Sequence, residues 1–394
     1  MRINFKEPRK WSLPINILLF NLCRLIPSRD KHLWVFGGRE GNQFDDNARY
    51  LFEYVNNNHK NIKAIWLTKD EKTVEHVRSL GYESYTFYSK EGIKNATRAG
   101  ISVYSHALLD FGLFPLVGGS TIVCLWHGVG FKKIYNSKYS GMSLFMKKAL
   151  DRFFSWTRRD ITTVTSKYTF DQFQYLFNLK PSTIIITGQP RNDVLFRDMR
   201  KSDVIRDTNI PENKRLILYM PTYRSVTMGA DHMENIVRSL YDSKELIAVL
   251  DETNSVFVAK LHPLTPHIDI KNRDNFVILD YGAVKNSQEL LTVSDMMVTD
   301  YSSCFVDFAL LNRPIGFFTP DEKQFIEQSE GMDDDFFRIS NMNKATSPEQ
   351  LAQLIREAST IVCDATTEVF EDQSIKGSCY CENVYNAISK RIVL

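Results

Sequence analysis

Cysteine is scarce and unpatterned in this chain. The six residues, Cys23, Cys124, Cys304, Cys363, Cys379 and Cys381, are scattered, partly inside apolar runs, with no CxxC pair and no histidine at zinc-ligand spacing. Neither a disulfide framework nor a zinc module fits, and a reduced, cytosolic setting is expected. Also missing are HExxH, a phosphate-binding P-loop and a DxD after an apolar strand, so no metal and no cofactor is expected. Formal net charge is only +2, which leaves no global field for nucleic acid, and no nucleic-acid partner is expected. Long hydrophobic runs are lacking too. The most apolar stretch, Trp11 to Pro27, is short and broken by Asn16, Asn21 and Arg24, so it does not span a bilayer. It ends in Arg-Leu-Ile-Pro-Ser-Arg-Asp instead of a small-residue cleavage site, which argues against a signal peptide. No Pro/Gly/Ser-rich linker or low-complexity tract appears.

What is present is ample core-forming material: 394 residues with 43% hydrophobic content, enough for two or more domains. Residues 1–30 read as a membrane-associating segment. As a helix, Ile15, Leu18, Leu19, Leu22 and Ile26 form one stripe, with Asn16, Asn21 and Arg24 opposite and Arg2, Lys6, Arg9 and Lys10 before it. Such a helix either lies flat on an anionic membrane surface or packs on the protein's own core; the basic flank suits the first. A second basic run, Lys132 to Arg159, interleaves Phe145, Phe153, Phe154 and Trp156 with its charges, and reads either as a second membrane contact or as a solvated face.

Short β-branched and aromatic runs alternate with amphipathic stretches. His32–Gly38, Ile62–Thr68, Ile101–Ser105, Thr121–Trp126, Ile161–Ser166 and Ile184–Thr187 read as strands of one parallel sheet. After a polar passage the rhythm restarts with Leu216–Tyr219, Val256–Leu261, Phe276–Leu279, Met296–Thr299 and Ile315–Phe318. The expectation is an α/β chain of two doubly wound domains facing a cleft, the first over 31–205 and the second over 206–375. A helix over 376–394 is expected to cross back onto the first domain.

Ligands of open α/β sheets bind beyond the carboxyl ends of the strands. Here those positions hold Trp126-His127-Gly128, Gly188-Gln189-Pro190-Arg191-Asn192-Asp193, Pro221-Thr222-Tyr223-Arg224, Lys260-Leu261-His262-Pro263 and Thr299-Asp300-Tyr301-Ser302-Ser303. The last runs into a helix, whose unpaired N–H groups suit a phosphate and whose Ser302 and Ser303 add hydroxyls; helix capping is the ordinary alternative. Imidazole, guanidinium and hydroxyl together suit phosphate chemistry with proton transfer. Lys260 and His262 share a strand face by period-two alternation and suit a diphosphate. Arg191 and Arg224 suit bidentate phosphate contacts, though Arg224 serves equally well in a salt bridge at a domain interface. Asp193 is expected to brace the Pro190 turn, Asp45 and Asp46 to cap a turn or touch an acceptor, and Asp333-Asp334-Asp335 to be a solvated acidic run.

These pieces in this order, over roughly residues 120 to 320, resemble the CDP-glycerol glycerophosphotransferase (teichoic acid polyol-phosphate transferase) family. The carriers are Trp126-His127-Gly128 with Lys132-Lys133-Ile134, Gly188 with Pro190-Arg191-Asn192-Asp193, Pro221 to Arg224, Lys260 to Pro263, and Thr299 to Ser303 with Asp307-Phe308-Ala309-Leu310-Leu311-Asn312. Phe36-Gly37 and Asp46-Asn47 match more loosely. The chain departs from the family pattern at Val129-Gly130-Phe131, Met220 and Gly331 to Asp335. The resemblance implies a CDP-glycerol or related CDP-polyol donor, a lipid-linked glycan acceptor, release of CMP, and work at the cytoplasmic face of the membrane in teichoic acid or capsule synthesis. It implies two Rossmann-like domains in a GT-B-like arrangement, with His127 as the general base, His262 in contact with the donor diphosphate, and Ser302 and Ser303 holding phosphate oxygens; Lys260, Arg191, Thr222, Arg224 and Asp300 are read beside them as substrate-binding. Two alternatives remain open: a GT-B glycosyltransferase using a nucleotide-sugar, and a non-catalytic membrane-bound recruiting module.

Overall fold

The computed structural model describes residues 8–27, 29–129, 159–177, 179–224, 228, 231–262, 264–279, 283–284, 286–328, 332, 334–358 and 370–392. Most of the basic run from Lys132 onward, together with Pro263 and Asp333, lies outside them. The chain forms two compact units. The first comprises 1–127, 138–193 and 374–394; the second comprises 128–137 and 194–373.

The first unit is built on seven strands: β1 (Asp30–Gly37), β2 (Lys63–Thr68), β3 (Glu83–Thr86), β4 (Ala99–Tyr104), β5 (Thr121–Cys124), β6 (Ile161–Val164) and β7 (Ile184–Ile186). They pair in parallel in the order β3-β2-β1-β4-β5-β6-β7, the doubly wound pattern whose direction reverses between β1 and β4. Helices cover both faces of such a sheet, so its central strands are buried almost throughout and read as continuous apolar runs. Val35, Phe36, Ile65, Trp66, Ile101 and Val103 are fully buried. Phe44, Phe52 and Trp66 pack edge-to-face at 4.8 to 5.7 Å. Full burial of a Phe is worth about 1.5–3 kcal/mol.

Two terminal helices attach to this unit. Pro8–Leu22 is held through Phe20, which is wholly buried, and through Arg29, which donates to the Cys23 and Ala96 carbonyls at 2.5 and 3.1 Å. Ile15, Leu18, Leu22 and Leu25 stay 45%, 59%, 48% and 76% exposed, an apolar row left on the surface. Among the described residues no helix is long and apolar enough to cross a membrane. At the other end, Tyr380–Ile392 begins at the Asp193 carboxylate, which accepts from the Tyr380 and Cys381 N–H groups at 2.6 and 3.0 Å. Asp193 therefore caps the last helix as well as standing in the Pro190 turn. Gly188 (φ +76°) permits this docking, since a β-carbon there would sit 2.2 Å from the Tyr380 ring.

The second unit repeats the plan with β8 (Arg215–Met220), β9 (Ser255–Ala259), β10 (Phe276–Ile278), β11 (Met296–Thr299), β12 (Ile315–Phe318) and β13 (Lys344–Ala345), all parallel, in the order β10-β9-β8-β11-β12-β13. Ile217, Tyr219, Phe257, Met296, Val298 and Phe318 form its core with the helices His232–Tyr241, Lys244–Glu252 and Pro348–Arg356.

Every strand expected from the sequence is present, and β3 and β13 are additional. Both escape a hydrophobic reading for the same reason: Glu83-Ser84-Tyr85-Thr86 and Lys344-Ala345 are short, polar edge strands, ordered by pairing to β2 and β12 rather than by their own apolar content.

Candidate active site

In the first unit, the carboxyl ends of β1, β4, β5 and β7 converge on a polar cluster. Its hub is Asp46, at the start of the helix Asp46–Asn58, buried and held at φ +63°. The Arg191 Nη1 donates to the Asp46 carboxylate at 2.9 Å and to the His127 carbonyl at 3.0 Å. Asn47 locks the surroundings: its amide nitrogen donates to the Trp126 carbonyl (2.8 Å) and the Gln189 side chain (3.2 Å), and its amide oxygen accepts from the Arg191 N–H (3.1 Å). Trp126 itself sits at φ +58°, a conformation costing a bulky residue about 1–3 kcal/mol, and the Asn47 bonds hold it there. Gly128, two residues further on, is at φ +148°.

His127 follows directly. Its Nδ1 lies 3.4 Å from the Ser105 carbonyl oxygen, which can only accept, so Nδ1 carries the proton and Nε2 keeps its lone pair. The ring lies parallel to that of His106, with centroids 4.4 Å apart and planes 3° apart. His106 stands with Nε2 at 3.6 Å from Asp46 and Nδ1 at 3.9 Å from Asp110. Desolvation by the surrounding protein lowers the basicity of both imidazoles: His127 moves down although its residue is exposed, and His106 is pushed down to about 3, with Asp46 opposing and the Arg39 and Arg191 charges reinforcing. For Asp46, burial alone would favour the neutral acid, but Arg191 and then His106 and Arg39 outweigh it and hold the carboxylate well below the usual range.

The second unit gathers its polar groups at the ends of β8, β9, β11 and β12. Asp300 is completely buried, accepts from the Thr222 N–H at 2.8 Å and pairs with Arg224 at 2.8 Å. Arg224 spreads its fork over Asp321 (2.7 and 3.1 Å) and donates to the Thr222 carbonyl (2.7 Å), while His232 meets Asp321 at 2.8 Å. Burial opposes the Arg224 charge, yet the two carboxylates more than offset it and raise its pKa well above the ordinary value. The hydroxyls of Tyr219, Thr222 and Thr319 are buried without a hydrogen-bond partner among the described residues.

His262 adopts the opposite tautomer to His127. The Leu264 N–H donates to its Nδ1 at 3.2 Å, so that nitrogen holds the lone pair and Nε2 carries the proton. Lys260 and His262 are both partly exposed at the end of β9, and the Tyr223 ring lies 5.4 Å from the His262 ring. Ser302 accepts from the Cys304 N–H at 3.5 Å, whereas Ser303 occupies the cap position of Cys304–Ala309 without a side-chain bond. That helix is only six residues long, so hydroxyls and end N–H groups matter more there than any helix dipole.

The structure thus gathers His127 and Arg191 in one unit, and Thr222, Arg224 and Asp300 in a single network in the other. Arg224 and Asp300, both expected to bind substrate, pair with each other, with Arg224 also holding Asp321 and the Thr222 carbonyl and Asp300 accepting from the Thr222 N–H, because charges so deeply buried need partners. Residues not foreseen are His106, Asp110, His232, Thr319 and Asp321. His106 was legible by the rule that flagged His127, since it too follows a strand; Asp321 and His232 carry no local signal. Asp335 pairs with Arg338 at 3.2 Å. Among the described residues no group of three His, Cys, Asp or Glu is arranged to hold a metal ion.

Comparison with known sequences settles the family: the CDP-Glycerol:Poly(glycerophosphate) glycerophosphotransferase family matches residues 18–376. The chain belongs to that family. It is accordingly an enzyme of the glycerophosphotransferase or teichoic acid polymerase type. It is 26% identical over 399 residues to the teichoic acid poly(glycerol phosphate) polymerase of Bacillus spizizenii (strain ATCC 23059 / NRRL B-14472 / W23), covering 95% of this chain and 94% of that one. It is also 26% identical over 358 residues to the enzyme of that name from Bacillus subtilis (strain 168), covering 87% of this chain but 46% of its relative, so it spans about half that protein's length. A solved structure of the wall teichoic acid polymerase TagF superposes with a TM-score of 0.72 at 22% identity, covering 98% of each chain, which shows that the glycerophosphotransferase has the same GT-B-like fold.

Proposed function

We propose that this glycerophosphotransferase moves glycerol phosphate from CDP-glycerol to a hydroxyl of a lipid-linked glycan or polyol-phosphate acceptor, releasing CMP. The acceptor oxygen attacks the phosphorus that bears glycerol, the bond from that phosphorus to the bridging oxygen breaks, and CMP leaves with the bridging oxygen. His127 takes the acceptor proton. The observation that carries this reading is the opposed tautomers of two histidines: Nε2 of His127 bears a lone pair and Nε2 of His262 bears a proton. One is fitted to accept a proton, the other to donate to a diphosphate oxygen. General-base help of this kind contributes roughly 10²–10⁴ in rate.

The first unit is assigned the acceptor, the second the donor. Lys260, His262, Thr222, Ser302 and Ser303 supply charge and donors to the diphosphate, in place of a divalent cation. Arg191 is assigned to hold Asp46 and the His127 backbone, and Arg224 with Asp300 to hold Thr222 for the donor. The exposed row Ile15, Leu18, Leu22 and Leu25, preceded by Arg2, Lys6, Arg9 and Lys10, supports a peripheral position on the anionic cytoplasmic face of the membrane, within reach of a lipid-linked acceptor.

The test is incubation with CDP-glycerol, CDP-ribitol or UDP-sugars and a defined lipid acceptor, with product mass and released nucleotide read together. CMP release with a mass gain of one or more glycerol phosphates is expected. Release of UDP, with a sugar added, would replace this reading by glycosyl transfer.

A further inference from the structure

We propose that His106 is a positioning residue for the reaction, its ring forming a flat wall that fixes the plane of the His127 imidazole. The inference rests on His127 being the base of the proposed transfer. It begins with what holds the dipeptide Ser105-His106. The Asp110 carboxylate accepts both of its backbone N–H groups, at 3.1 and 2.8 Å, and the Ser105 hydroxyl accepts from the Ala48 N–H at 2.9 Å. This anchored pair then meets His127 twice. The Ser105 carbonyl receives Nδ1 on the ring edge, and the His106 ring covers the ring face at 4.4 Å with the planes 3° apart. Trp126, its ring 4.5 Å away and tilted by 30°, supplies a further boundary. A ring held by edge and face has lost rotation about its side-chain bonds before substrate arrives, which is the orientation that proton transfer requires.

The polar atoms of His106 contribute little by comparison. Its Nδ1 is buried with no hydrogen bond, and Nε2 stands 3.6 Å from Asp46, beyond a hydrogen bond. Asp46 already has Arg191 at 2.9 Å. What His106 gives the site is therefore area and shape, which a phenylalanine would also give. The charged groups around the pair are Asp46, Asp110, Arg39 and Arg191; exchange of His106 removes none of them, and Arg191 remains the main support of the Asp46 carboxylate.

The experiment compares His106→Phe with His106→Ala in the full chain by two readouts: the pH profile of kcat and KM with CDP-glycerol and acceptor, and the titration of His127 by histidine-selective NMR without substrate. The Ala variant is expected to lose about ten- to a hundredfold in kcat at nearly constant KM. Water reaching the bared face should move the His127 titration and the acid limb of kcat to higher pH, by roughly half a unit or more. The Phe variant should stay within about threefold of the parent with both pH values unmoved. An unchanged His127 titration in the Ala variant, or equal losses in Ala and Phe, would overturn the proposal. If the parent releases no CMP from any CDP-polyol, the proposed reaction has failed, and the NMR titration still decides the wall by itself.

Discussion

The Arg191 guanidinium and the Asp46 carboxylate meet at 2.9 Å across a sequence separation of 145 residues, tying the segment after β7 to the one after β1. Both side chains are largely buried, so each holds the other's charge in place. Asp46→Ala should therefore destabilise the protein by roughly 3–5 kcal/mol by stranding Arg191. A double-mutant cycle with Arg191→Ala in chemical denaturation checks this; additive losses would show that the pair is not coupled.

His127→Ala should lower kcat by about 10²–10⁴ while leaving the melting temperature close to that of the parent, because the ring makes no hydrogen bond that folding needs beyond the long one to Ser105. Parallel CMP-release and melting measurements separate chemistry from folding. A large drop in melting temperature would move His127 from chemistry to structure.

Arg224→Lys is not a conservative exchange here, since an ammonium group cannot reproduce a fork shared by Asp300, Asp321 and the Thr222 carbonyl. A loss of about 2–4 kcal/mol in stability is expected, with a rise in KM for the donor as the Thr222 turn loosens. Denaturation and steady-state kinetics together test it; unaltered donor KM in a destabilised variant would confine Arg224 to folding.

Acid should act against the first unit's desolvated imidazoles. The folded pKa of His106 is depressed by burial to about 3, below its unfolded value, so the stability tied to the neutral ring is present above about pH 6.5 and is lost progressively as pH falls toward 3. His127 shifts the same way. Asp46, also depressed, adds a loss at lower pH as its carboxylate becomes protonated. Asp110, raised by burial to about 6, acts in the opposite direction as it becomes protonated, so the check is the stability difference between the parent and His106→Phe, which should shift in favour of the variant as pH falls from 8 to 4.

Removing the whole N-terminal segment would expose the site that buries Phe20, so membrane attachment is better tested by Leu18→Glu with Leu22→Glu, both on the exposed row. Retained folding with reduced sedimentation on anionic vesicles is expected. Undiminished binding would remove this helix from the membrane contact.

Legibility in the sequence followed locality. Strands such as Val256 to Ala259 and Met296 to Thr299 announced themselves because burial on both faces of a parallel sheet demands unbroken apolar runs, and the residues after them were visible as candidates by position alone. Ser302, His262 and His127 became candidates in that way. His106 was passed over although it follows β4, because nothing beside it in the chain reveals a second imidazole lying parallel to it.

The amino-acid order thus determined two doubly wound units, their strand ends and the family they belong to, since period and motif are properties of neighbouring residues. Tertiary structure decided which nitrogen of His127 holds the proton, that Asp46 belongs to Arg191, and that Arg224 serves Asp300 and Asp321 before any ligand. The pairs Asp46–Arg191 and Arg224–Asp321 join segments 145 and 97 residues apart, and only the folded backbone brings such partners within 3 Å of each other.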